Sequence, residues 1–330
     1  MAPTPRKPLM PHTLPIYGKR RRNAPIDLRA AMSGIMVLLL IGLGLFSLPG
    51  MLKNEVQLAY TEPQKPPFPI TVDPINETIN DDPSVDALFG ESNPTLGAAA
   101  SLASSAITWI ANTIMQVPGY SQIAGSDIVF VDIKSGYRQE EVARAFGLAL
   151  GWTKVEQDAF LKQVNNTNPE LVEGEFVPGT YMISSAASAS YVQELLADRF
   201  KRDIASRYSP EAEQVLPLEN VLTIASLLQR ETRDPSEMRL ISGIIWNRLW
   251  SGMNLQIDAT LQYAKASNGG TKTWWPVPRP ADKYIKSPYN TYQNKGLPPG
   301  PISNPSTEAI LAALNPKKTD CIFYFHDSKG

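Results

Sequence analysis

The stretch IASLLQRETRDPSEMRLISGIIWNRLW, Ile224 to Trp250, decides how the second half of the chain folds. Ile224, Leu227 and Leu228 are spaced i, i+3, i+4, which marks one face of a buried helix. Glu231 stands at i+7 on the same stripe, where another aliphatic residue would be expected. Asp234 then supplies a cap, Pro235 suits a first helical position, and Glu237 completes a capping-box spacing. A second helix follows with Ile241, Ile244, Ile245 and Leu249 on its buried side, and Gly252 is placed to end it. The pattern predicts a helical hairpin with a carboxyl group near its turn. Spacing alone leaves two readings of Glu231 open. It is either the end of a stripe where a helix terminus meets water, or a group whose burial disfavours its charged form and keeps a proton available.

Downstream, NLQIDATLQYA alternates Gln256, Asp258 and Thr260 ahead of a short helix that Asp258 is placed to cap. The loop SPYNTYQNKGLPPGPISNPS, Ser287 to Ser306, is too polar and too rigid for a random connector. Its aromatic faces and amides suit a sugar chain, though ordered turns use the same residues. Upstream, IVFVDI (128–133) and TYMIS (180–184) read as strands flanking two helices, QEEVARAFGLAL and VEQDAFLKQV. That is a small mixed α/β domain, and it shows no catalytic constellation. A further helix, SYVQELLADRFKRDI, connects it to the hairpin.

The N-terminal end has a different character. Seven of the 31 Lys and Arg residues fall within positions 1–29, where Asp27 is the only acid. Ala30 to Leu52 is then 23 residues without a charge, long enough to cross a bilayer at about 1.5 Å per residue. Its length favours an anchor over a cleaved signal peptide, and the basic flank places the N-terminus on the cytoplasmic side. The expected topology is a single pass of the inner membrane with everything after Lys53 extracytoplasmic. Residues 53–126 read as a spacer, Pro-rich at first and then rich in small residues; within it, 95–115 reads as a soluble stretch, with contact to the membrane as the alternative.

The part beyond residue 52 holds 24 basic and 31 acidic residues, which argues against nucleic acid as a partner. Cys321 is the only cysteine, so neither an intrachain disulfide nor a cysteine-rich metal site is possible. His12 and His326 fall on opposite sides of the expected membrane span, which disfavours a serine–histidine triad or a histidine zinc site. No metal and no cofactor is expected.

The ordered set ASLLQRET, NRL, GMNLQIDAT, SPYNTY, GLPPGPISNP and AALNP, with a terminal aromatic strand, resembles the YceG-like (MltG-type) endolytic murein transglycosylases. EGEFVPGTY, Glu173 to Tyr181, resembles the family's segment leading into the last strand of the smaller domain. The resemblance covers roughly 128–330. It implies an α+β protein with an N-terminal transmembrane helix (30–52), a small LysM-like α/β domain (127–184) and a C-terminal mixed α+β catalytic domain (185–330). The second acid of the family's E-[KR]-E pattern is the catalytic one and matches Glu231; the first is Gln229 here. Asp258 is followed by Ala259 where the family usually has proline. The chain stops at Gly330, ahead of the family's His-x-Phe segment, so a truncated C-terminus is expected.

By the same resemblance the substrate is the peptidoglycan glycan strand, cut between N-acetylmuramic acid and N-acetylglucosamine with formation of a 1,6-anhydro end. Glu231 would serve as acid and then base, while Gln256, Asp258, Tyr289, Asn290 and Tyr292 would hold sugar or orient the transition state. A peptidoglycan synthase is the candidate partner. A non-catalytic glycan-binding scaffold and a conventional muramidase, which needs a second acid across the sugar, are the competing classes.

Overall fold

The computed structural model describes residues 65–90, 127–164, 171–269 and 273–324. The 30–52 run and most of the expected spacer lie outside these residues. Among the described residues no helix is long and apolar enough to cross a membrane. The architecture is mixed α+β, built on two apolar cores.

The smaller core is a β-α-α-β unit. Strand β3 (Ile128–Ile133) pairs antiparallel with β4 (Gly179–Ser184), and α2 (Gln139–Leu150) and α3 (Lys154–Val164) run between them. Val131 faces Tyr181 across the ladder, and both point inward with Ile133 and Ile183, as the two-residue period of strands requires. Phe146, Phe160 and Phe176 close the core without exposed surface. Fully burying each such side chain contributes about 1.5–3 kcal/mol. Helix α2 starts where Arg138 N–H donates to Glu141 (3.1 Å) and stops at Gly151 in the left-handed region, φ +67°. Helix α4 (Ala189–Asp203) adds Val192 and Leu196 to the same core.

The larger core is helical. After the short α5 (Pro210–Val215), α6 (Leu218–Glu231) and α7 (Pro235–Trp250) form the expected hairpin, and α8 (Asp258–Ser267) and α9 (Thr307–Leu314) pack against it. Asp234 caps α7 by accepting from the N–H groups of Ser236 (2.8 Å) and Glu237 (3.0 Å). The expected capping box takes another form: Glu237 accepts from the Thr232 hydroxyl, and Asp234 N–H donates to that same hydroxyl oxygen. Thr232 thus stands between the two groups that the spacing had paired. Gly252, φ +61°, ends α7; its N–H reaches Leu249 O, and Met253 N–H reaches Arg248 O. Gly243 is required for a different reason, since a Cβ there would collide with the main-chain oxygen of Lys317.

Residues 65–90, expected to be extended spacer, are instead a two-strand hairpin, β1 (Val72–Asp73) and β2 (Thr78–Ile79), followed by α1 (Pro83–Gly90). Phe68, Val72 and Ile79 are buried in the helical core. Thr71 N–H donates to Leu314 O (3.1 Å), and Arg239 pairs with Asp86 at 2.6 Å. Composition signalled the prolines, whereas these few apolar anchors decide the packing.

Candidate active site

Helix α6 buries Ile224, Leu227 and Leu228 completely, and Glu231 is its last residue, half-buried. Both features anticipated for this position therefore hold together: the carboxyl group continues an apolar stripe and also stands at a helix end. Its Oε2 accepts a hydrogen bond from the hydroxyl of Tyr324 at 2.9 Å. Burial raises the Tyr324 pKa above the ordinary tyrosine value; the charge of Glu231 and the hydrogen bond to it act in the same direction, and Arg248 opposes them. Tyr324 therefore acts as a donor toward the carboxylate.

The segment carrying Tyr324 is held by α7. Asn247 Nδ2 donates to Thr319 O (2.7 Å) and Cys321 O (2.9 Å), and Arg248 Nε donates to Ile322 O (2.7 Å). The expected aromatic strand does not form among the described residues, because these carbonyls are taken by α7 side chains rather than by a neighbouring strand. Arg248 is buried, lies 5.1 Å from the Phe323 ring centre, and also donates from Nη1 to Leu255 O.

Leu255 leads into the second part of the site. Gln256 is exposed and has φ +52°, a left-handed conformation costing about 1–3 kcal/mol in a residue other than glycine. It is held there by bonds from Gln256 N–H to Thr291 O (3.1 Å) and from Ile257 N–H to Thr291 Oγ1 (3.0 Å). Asp258 does not cap α8. It is the first helical residue, and its Oδ1 accepts from the Tyr292 hydroxyl at 2.7 Å. Burial raises the Tyr292 pKa, the bond to Asp258 and its charge raise it further, and the charge of Glu231 adds to this. Asp258, Tyr292, Glu231 and Tyr324 thus form one electrostatic group, with Arg248 acting on both phenols.

Tyr289 and Asn290 serve elsewhere. Tyr289 packs on Tyr263 with ring centres 4.7 Å apart, and the charges acting on it are those of Glu173, Arg138 and Glu219. Asn290 is fully buried; its amide nitrogen donates to Lys283 O (3.1 Å) and Ile285 O (2.8 Å), and its oxygen accepts from Tyr292 N–H (3.0 Å). A side chain so enclosed braces the loop that aims Tyr292 and has no face for a sugar. The GLPPGPISNP segment is likewise a brace. Ile302 N–H donates to Ser226 Oγ of α6, and Asn304 exchanges main-chain bonds with Gly136 and Tyr137. Gly174, φ +94°, admits this segment, since a Cβ there would sit 2.6 Å from Pro301. Gln229 accepts from Ser306 N–H (2.9 Å), a bond that a carboxylate at this position would equally accept.

Two clusters escaped the reading of the sequence. Arg248 lay within the NRL motif and Tyr324 within the terminal aromatic stretch, but nothing in their spacing links them to Glu231. The other cluster surrounds Arg138, 1% exposed, which pairs with Glu140 at 3.0 Å and lies over the Tyr263 ring at 4.0 Å. Beside it, buried Glu173 accepts from Gln139 N–H (3.0 Å), and its pKa is raised to about 8, chiefly by burial and then by the charge of Glu140. Arg138, Gln139, Glu140 and Glu141 together read as an exposed helix start, and only the tertiary fold closes over it.

A carboxyl group held by a phenol at the end of a buried helix, next to a phenol-bound aspartate, defines a site equipped for proton transfer on an α+β scaffold. The YceG-like family model matches residues 106–330, and the chain belongs to that family. An endolytic murein transglycosylase of Streptococcus pneumoniae strain D39 is 29% identical over 221 residues, covering 59% of this chain and 40% of that protein. One from Bacillus subtilis strain 168 is 28% identical over 193 residues, covering 54% and 51%. The chain thus spans about half, or less, of the length of these curated relatives. The crystal structure of a YceG-like protein from Listeria monocytogenes matches with a TM-score of 0.53 and 25% identity, over 61% of this chain and 70% of that one.

Proposed function

We propose that this chain is a lytic transglycosylase that cuts peptidoglycan glycan strands internally, between N-acetylmuramic acid and N-acetylglucosamine, and so trims or terminates nascent strands. The observation that carries this reading is the carboxyl group of Glu231, half-buried at the end of α6 and bonded by Tyr324. Protonated Glu231 gives its proton to the glycosidic oxygen as the C1–O bond breaks. The resulting carboxylate takes the proton of the muramyl C6 hydroxyl, whose oxygen attacks C1 and closes the 1,6-anhydro ring. No water is consumed, and Glu231 ends as it began. Asp258, held by the Tyr292 hydroxyl at 2.7 Å, would stabilise the developing positive charge, and exposed Gln256, two residues before it, is a candidate to bind sugar.

The murein transglycosylase relatives support the substrate class. The β-α-α-β unit fits the LysM-like module that the family resemblance implies, with a role in holding glycan. The charge-free run at 30–52 and its basic flank support a single-pass anchor in the inner membrane with the catalytic part outside, in reach of a synthase partner.

The test is the product of purified full-length protein acting on sacculi, read by mass spectrometry. Anhydromuramyl ends are expected; reducing ends would mean a hydrolase using Asp258, and intact strands would mean a scaffold. Glu231→Gln keeps size and hydrogen bonding but removes the transferable proton, so cleavage should fall roughly 10²- to 10⁴-fold while glycan binding persists. Asp234→Asn, which keeps the α7 cap, is the control. Parental rates in Glu231→Gln would refute the assignment.

A further inference from the structure

We propose that Tyr324 is a positioning residue for Glu231, fixing the carboxyl group through Oε2 so that the proton exchanged with the glycan is carried on Oε1. The inference rests on the acid–base reading of Glu231 given above. The phenol donates to Oε2 at 2.9 Å, and a carboxyl oxygen that accepts this bond is the oxygen without the proton. Once the proton has left Oε1, the same bond becomes charge-assisted and strengthens, which favours the carboxylate that must next act as base.

The placement of Tyr324 is built, not incidental. Three side-chain bonds from Asn247 and Arg248 fix the carbonyls at 319, 321 and 322, immediately before it. Arg248 holds Leu255 O from the same buried guanidinium, so one residue sets the positions of both the Tyr324 segment and the chain entering α8. The two phenol–carboxylate pairs are thereby registered against each other. Burial and the neighbouring carboxylate keep the Tyr324 hydroxyl protonated, so it remains a donor in both halves of the reaction.

The experiment compares parent, Tyr324→Phe, Glu231→Gln and the double variant as full-length protein, following release of anhydromuramyl products from sacculi across pH. Tyr324→Phe should lower kcat by about ten- to a hundredfold with KM within about twofold, as loss of one hydrogen bond to a charged group would do. The alkaline limb of kcat/KM should move up by about one to two pH units, because the carboxylate loses that bond. The limb position does not depend on the amount of folded enzyme, so partial unfolding cannot imitate it. The double variant should be no slower than Glu231→Gln alone. Tyr284→Phe, at an exposed tyrosine, should match the parent. An unmoved limb in Tyr324→Phe, or additive losses in the double variant, would overturn the positioning role while leaving Glu231 as the acid. Parental activity in Glu231→Gln would overturn both.

Discussion

Burying Glu173 should make this protein less stable as the pH rises through neutrality, and replacing it with glutamine should remove its share of that dependence. The carboxyl group is raised from an ordinary value of 4.5 to about 8, first by burial and then by the charge of Glu140, with Arg138 opposing. Arg138 does not reverse the shift, since its own charge is engaged with Glu140 at 3.0 Å. In the folded state the group stays protonated up to about 8, while in the unfolded chain it ionises above 4.5. The unfolded state therefore sheds its proton first. The stabilising contribution is complete below 4.5 and drains away as the pH rises to about 8. At about 1.4 kcal/mol per pH unit, the loss by pH 7 is on the order of 3 kcal/mol. Glu173→Gln can still accept from Gln139 N–H and does not ionise. Glu175, raised to about 7 by burial, adds a slope of the same sign in both proteins, so the difference between them isolates Glu173. Thermal unfolding followed by circular dichroism between about pH 5 and 8 should show the variant gaining on the parent, by roughly 2–4 °C per kcal/mol. Melting temperatures that run parallel across this range would refute the reasoning.

Gly243→Ala should drive a methyl group into the main-chain oxygen of Lys317 and push the Tyr324 segment away from α7, costing about 1–3 kcal/mol. The melting temperature and the cleavage rate should fall together, and a variant with parental values for both would show that the segment is not pinned there. For topology, protease added to spheroplasts should degrade the protein beyond residue 61 and spare residues 1–29, as read by antibodies to each end. Protection of 150–330 would overturn the single-pass arrangement.

The parts of the fold that repeat were legible in the sequence. Alternation in IVFVDI and TYMIS gave both strands of the smaller core, and the i, i+3, i+4 spacing at Ile224, Leu227 and Leu228 gave α6. Asp234 with Pro235 announced the start of α7, and Gly252 its end, because caps act over three or four residues. What failed was whatever depends on a distant partner. Asp258 has the spacing of a cap, but a tyrosine 34 residues later claims its carboxylate. Asn290 has the chemistry of a sugar ligand, yet it is consumed by carbonyls of its own loop. Residues 65–90 have the prolines of a spacer, and three apolar side chains still suffice to dock them.

Glu231 shows why such a site resists reading in one dimension. Its place on a stripe is local and visible, but the bond that orients it comes from Tyr324, 93 residues away. That bond depends in turn on carbonyls captured by Asn247 and Arg248, and side-chain-to-carbonyl bonds leave no periodicity in a sequence. The helical hairpin resolves the distance problem physically. Its first helix ends at Glu231, and its second carries the arginine and asparagine that bring the C-terminal segment back to the same place. Arg248 reaches in the other direction to Leu255, two residues before Ile257 opens α8. The turn between α6 and α7 thus sets where the carboxyl group lies, and the far end of α7 sets what surrounds it. A change confined to α7 should therefore alter the chemistry of Glu231 without touching the residue itself.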